Sequence, residues 1–258
     1  MLRIATLLCF VFTLAACDPA RLSTTNTPRG GQTCAGEQSG RCQFLNGPVK
    51  LRQQPVKLST RSALFYPMAA QLEFVDASED HWIAPPETLT DGASIPKIFH
   101  TVLGNPTAPQ FAGAAAVHDA YCGIGNESGP NYHAKPWPEV HRMFYDALRV
   151  GGTPERRAQV MFAAVWLGGP RWGRFDRGWN DVAAGEKQAI LQRAQQMIAA
   201  GHPTLDDLIG FLTDQEAAAV AASKGTVQGG GAFGGYGGDY GGDSPTDPSD
   251  PSDPNSGL

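Results

Sequence analysis

Charge is scarce in this chain: only 17% of its 258 residues are Asp, Glu, Lys or Arg. The composition excludes collagen, coiled coil, a polytopic membrane protein and a disulfide-dense mini-protein. There is no Gly-x-Ser-x-Gly elbow, no HExxH helix and no CxxC pair. Its glycine pairs lack the strand-before, helix-after context of nucleotide-binding loops. The formal net charge is −5, but residues 223–258 hold five Asp against one Lys, so the remainder is close to neutral. A nucleic-acid or other polyanion partner therefore has little electrostatic support from the overall charge. The length allows one or two domains.

The amino terminus is the most informative segment. Arg3 precedes an apolar run from Ile4 to Leu14, followed by Leu14-Ala15-Ala16-Cys17. A basic start, a short apolar run and small residues before a cut read as a secretory signal over residues 1–16. The run is too short to span a bilayer stably. Cys after Leu-Ala-Ala resembles a bacterial lipobox, which implies cleavage before Cys17 and lipidation of its thiol. The expected product is an exported protein anchored by lipid at Cys17 in the bacterial cell envelope. Inner and outer membrane both stay open, and protein partners are not legible. Export places the chain in an oxidising compartment, so Cys34 and Cys42 are expected to close a short disulfide loop. Cys122 would then remain as a buried thiol.

Residues 17–44 read as lipid anchor and flexible stalk, rich in Ser, Thr, Gly, Pro and Asn. From Val49 to Ala84, short β-type runs (PVKLR, ALFY, AAQLEFV, DHWIAP) predict a small antiparallel β region. Helical patterning follows. Phe111, Ala115, His118 and Cys122 share one face, and Trp137, His141, Phe144 and Leu148 form the stripe of a second helix. Thr153-Pro154 marks the start of a third, which ends at Gly168-Gly169. Glu186 to Ala200 reads as a fourth, and Thr213 with Glu216 as the capping-box start of a fifth. The tail from 223 is too rich in Gly, Asp and Pro to offset its ordering entropy and is expected to be disordered. The fold class is α+β, with one globular domain over residues 45–222.

Two segments can carry chemistry: Thr90-Asp91-Gly92-Ala93-Ser94-Ile95-Pro96 and Val117-His118-Asp119-Ala120-Tyr121. In an antiparallel hairpin, His118 near the end of the first helix and His141 near the start of the second come together. Adjacent helix positions diverge by about 100°, so Asp119 faces sideways, toward the Asp91 loop.

TDGASIP, the HDAY helix, HRMFYDAL and the AAVWLGG helix resemble a bacterial and phage family known as domain of unknown function 1353, over roughly residues 75–170. The resemblance implies a shared fold and no established activity. In that family the second helix commonly carries Asp where this chain has His141. The same segments are faintly similar to secreted bacterial and fungal phospholipases of the A type. That similarity implies a water activated by His118 and calcium held by Asp119 and the Asp91 loop. The carboxylate expected to orient the catalytic histidine is replaced by His141, and Asp146, off that face, is a poor substitute.

Three readings stay open. His118 and His141, as catalytic residues, could serve a calcium-dependent ester hydrolase. Alternatively, His118, His141, Asp119 and Asp91, joined by His133, could hold zinc or another transition metal. In the third, the same residues satisfy one another in the core of a non-catalytic structural or partner-binding module. Arg171 and Trp172 fit a helix-ending turn, and the aromatic residues of the helices fit ordinary packing.

Overall fold

The computed structural model describes residues 33–34, 41–59, 61, 63–92, 109–173 and 178–226. The expected signal, Cys17, most of the stalk and the tail beyond 226 lie outside the described residues. So do Ala93, Ser94, Ile95 and Pro96 of the TDGASIP segment.

Six short strands come first: β1 (Gln43–Leu45), β2 (Val56–Lys57), β3 (Leu64–Pro67), β4 (Leu72–Val75), β5 (His81–Ala84) and β6 (Leu89–Thr90). They form two antiparallel three-stranded sheets, ordered β1-β4-β5 and β2-β3-β6. The expected PVKLR strand is reduced to one bridge, Leu51 to Met68. Gln43 and Phe44 correct the expected stalk, since both belong to β1, and Phe44 packs its ring 5.1 Å from Phe74 of β4. That pairing is non-local and leaves no periodicity in so short a stretch. Cys34, also assigned to the stalk, is buried and disulfide-bonded to Cys42.

Five helices follow: α1 (Pro109–Cys122), α2 (Trp137–Val150), α3 (Glu155–Gly168), α4 (Ala184–Gly201) and α5 (Leu205–Thr226). None of the described helices is long and apolar enough to cross a membrane. The helices stack in chain order, with α1 against the first sheet and α2, then α2 against α3, and α4 and α5 against α3. Helix α1 is therefore covered on both sides, which its sequence permits. Ala114, Ala115, Ala116 and Val117 are at most 1% exposed, and a helix apolar all round is a buried helix. At Gly113 a Cβ would lie 2.9 Å from the tip of the Phe44 ring, so a side chain there would have to push that ring aside. Tyr121 closes the other end, its ring 5.1 Å from Trp82 and its hydroxyl accepting the Ile83 N–H at 3.3 Å.

Two helix starts differ from the sequence reading. Helix α5 begins at Leu205, where Thr204 and Asp207 form a reciprocal cap: Asp207 N–H donates to Thr204 Oγ1 at 3.1 Å, and Thr204 N–H to Asp207 Oδ2 at 3.0 Å. Thr213 sits inside that helix, donating back to the Ile209 carbonyl, while Glu216 pairs with Arg171. Thr153 does not cap α3 through its side chain. Helix α5 also continues to Thr226, past the expected start of the tail at 223.

Candidate metal centre

His118 and Cys122 stand one turn apart on α1, so their side chains share a face. That face meets α2 at His141. His118 Nε2 lies 3.0 Å from His141 Nδ1 and 3.4 Å from Cys122 Sγ. One donor atom from each of the three residues falls within 4.8 Å of both others, and the side chains are 1%, 2% and 0% exposed. Zinc bonds of about 2.0–2.1 Å to nitrogen and 2.3 Å to sulfur in a tetrahedral arrangement separate donors by about 3.3–3.6 Å. The two spacings from His118 Nε2, 3.0 and 3.4 Å, are close to the lower end of that requirement. The rings of Phe144, 4.9 Å from His118, and Trp137, 5.4 Å from His141, line the cluster.

Burial sets the protonation state. It lowers His118 to about 3. It also drives His141 well below the ordinary histidine value, helped by His118 and Arg171 and opposed by the Pro170 carbonyl. Both rings are neutral at pH 7, the form that offers a lone pair. Cys122 is pushed well up, by burial first and Asp119 second, so its thiol stays protonated unless a cation is supplied. Arg171 contributes from behind. Its guanidinium lies 4.4 Å over Trp137 and 4.9 Å over Trp179, donates to the Trp166 carbonyl at 2.6 Å, and pairs with Glu216 of α5. The segment after α3 is thus a half-buried turn clamped by an ion pair.

The outer nitrogen of the pair, His141 Nε2, is buried at the turn after α3. If His141 Nδ1 accepts from His118 or binds a cation, the proton sits on Nε2, where the Pro170 carbonyl favours it. Gly169 lies against this nitrogen. A Cβ there would come 3.2 Å from Nε2 and 2.4 Å from the Val165 carbonyl, so the helix end and the histidine together demand glycine.

The other expected site residues separate from this cluster. Asp119 is buried but stands outside the His118, Cys122, His141 group, pointing off the adjacent face of α1. Its carbonyl accepts from Asn126 Nδ2 at 2.9 Å, and Asn126 also takes the Leu89 N–H and donates to the Leu89 carbonyl, both at 2.8 Å. Asn126 thereby fastens β6, and with it Thr90 and half-buried Asp91, to the end of α1. His133 is exposed and stacked on Trp172 with centroids 4.1 Å apart, away from the cluster. Asp146 accepts the Cys34 N–H at 2.9 Å. Sequence reasoning set Cys122 aside as a leftover thiol, although its i+4 relation to His118 was visible.

The chain is 34% identical over 161 residues to the uncharacterized protein y4iH of Sinorhizobium fredii, covering 62% of this chain and 61% of that one. It is 30% identical over 107 residues to the uncharacterized protein y4jT of the same organism, covering 42% of this chain and 30% of that one. The chain thus spans less than two thirds of the length of these curated relatives. No solved structure matches. Residues 66–165, which hold β6, α1, α2 and all three cluster residues, are homologous to the family described as Protein of unknown function (DUF1353).

Proposed function

We propose that this is an exported, lipid-anchored envelope protein whose domain is cross-braced by a transition metal held between α1 and α2 by His118, Cys122 and His141. The observation that carries the reading is the convergence of three buried donor atoms of the right kind within 4.8 Å. Two imidazoles and a thiolate suit a borderline-to-soft ion, and zinc best among the common ones. Calcium, which takes oxygen ligands, does not fit. When bound, the ion supplies the charge that turns the Cys122 thiol into a thiolate and ties two helices through side chains instead of packing alone. The address rests on the apolar run to Leu14 and the Leu-Ala-Ala-Cys17 sequence.

A calcium-dependent ester hydrolase has weaker support. It needs carboxylates around the ion and an imidazole that reaches solvent and substrate. His118 instead meets a second imidazole and a thiol, and it is 1% exposed.

The test is metal analysis of the full chain purified from membranes, with cobalt(II) exchange as a spectroscopic readout. Near-stoichiometric metal and a thiolate-to-cobalt charge-transfer band, both lost in Cys122→Ser and His141→Ala, are expected. A folded protein that carries no metal and shows no band overturns the metal reading. Retention of Cys17→Ser in the membrane fraction as firmly as the parent overturns the anchor.

A further inference from the structure

The large apolar side chains left exposed among the described residues are Leu51, Val56, Leu64 and Tyr66, at 37–47% exposure. All belong to the β2-β3-β6 sheet and the strand-like segment bridged to it. The register gathers two of them on one face. Leu64 and Tyr66 alternate along β3 with Lys57 paired opposite Leu64, while Leu51 is exposed at the margin, bridged to the fully buried Met68. The segment that supplies this face carries a charge pattern unlike the rest of the chain. From Gln38 to Leu72 there are five basic residues, Arg41, Lys50, Arg52, Lys57 and Arg61, and no acidic one, within a protein of net charge −5. Lys50 and Lys57 are exposed, and Arg52 pairs with Glu87 of the neighbouring turn.

We propose that this face, Lys57, Leu64 and Tyr66 with Leu51 and Lys50 beside it, docks on an anionic phospholipid surface. Apolar side chains and a tyrosine among lysines match both parts of such a surface, the headgroup charge and the boundary beneath it. Basic charge with no acidic neighbour in sequence gives complementarity to lipid phosphates. Leu51 lies 34 residues after Cys17 in sequence, so lipidation there would keep this sheet within reach of the bilayer. The lipid tether belongs to the reading above; the docking face stands on its own residues and orients a domain that a tether alone would leave free to tumble.

The experiment uses the full chain with the photoreactive residue benzoylphenylalanine in place of Tyr66, or of Gln192 on α4 as control. The protein is added to vesicles of phosphatidylcholine alone or with phosphatidylglycerol, floated, irradiated and analysed by mass. Lipid adducts at position 66 but not 192, several-fold more abundant with phosphatidylglycerol, are expected. Lys50→Gln and Lys57→Gln should each reduce them, since one basic charge at an anionic surface is worth roughly fivefold in bound population. A chain that floats yet gives no lipid adduct at 66 keeps the tether and overturns the docking face. Adducts at 66 only with phosphatidylglycerol, in a chain that does not float on neutral vesicles, support the face and overturn the tether. Adducts at 66 to a second copy of the chain overturn the proposal in favour of self-association.

Discussion

His118 Nε2 and His141 Nδ1, carried by different helices, meet at 3.0 Å with room for one proton between them. Without metal, one ring donates and the other accepts, and each is the other's buried partner. The two substitutions should therefore couple. In chelator-treated protein, His118→Ala and His141→Ala are each expected to cost about 1–3 kcal/mol, and the double variant less than the sum. A double-mutant cycle from urea unfolding checks this, with an expected coupling of at least about 0.5 kcal/mol. Additive costs would mean that the bond contributes nothing.

Cys122 behaves differently with and without metal. As a buried, protonated thiol it acts as a small apolar group, so Cys122→Ala in chelator should cost no more than about 1 kcal/mol. With zinc at a hundred times its dissociation constant the parent gains about 2.7 kcal/mol. That is a rise of roughly 5–10 °C for a domain of this size, and the variant should show none of it. Calorimetry of both proteins with EDTA and with zinc reads the difference.

Asp146 should make stability depend on pH. Burial raises its carboxyl to about 7, with Asp76 adding in the same direction and the Cys34 N–H and Arg142 opposing. The folded state thus holds the proton more tightly than the unfolded chain. The contribution is complete below about pH 4, near the unfolded value, and declines as pH rises through 7. Asp146→Asn cannot ionise and keeps an acceptor for Cys34. Relative to the variant, the parent should lose stability steadily from pH 4 to 8, by at most about 4 kcal/mol. Parallel denaturation curves at four pH values test the slope, and a constant gap would refute the assignment.

Asn126 fastens β6 to α1 with three hydrogen bonds from one side chain. Asn126→Ala leaves the Leu89 N–H, the Leu89 carbonyl and the Asp119 carbonyl without this partner, at an expected cost of about 2–4 kcal/mol. Amide exchange at Leu89 should accelerate more than exchange in α3. Uniform acceleration through the molecule would show instead that the side chain serves global stability alone.

The meeting of His118 and His141 was legible because helical periodicity and a hairpin suffice to place them. The third donor was obscured by bookkeeping of cysteines, since pairing Cys34 with Cys42 left Cys122 as a remainder when its position one turn after His118 was the stronger clue. Thr213 and Glu216 have the spacing of a cap, but the chain caps α5 earlier, at Thr204 and Asp207, and Glu216 is drawn away by Arg171. Strand β1 could not be read at all. Three residues acquire their structure from β4, and nothing local specifies that partner.

The Cys34–Cys42 link has a mechanical consequence. At Cys34 the backbone is also pinned to α2 through Asp146, so a pull applied there is met at once by a helix of the stack. The covalent bridge passes that load straight to Cys42 and the adjoining strand. Tension then divides between a helix in the middle of the stack and the edge of a sheet, and no single hydrogen-bonded ladder has to resist it alone.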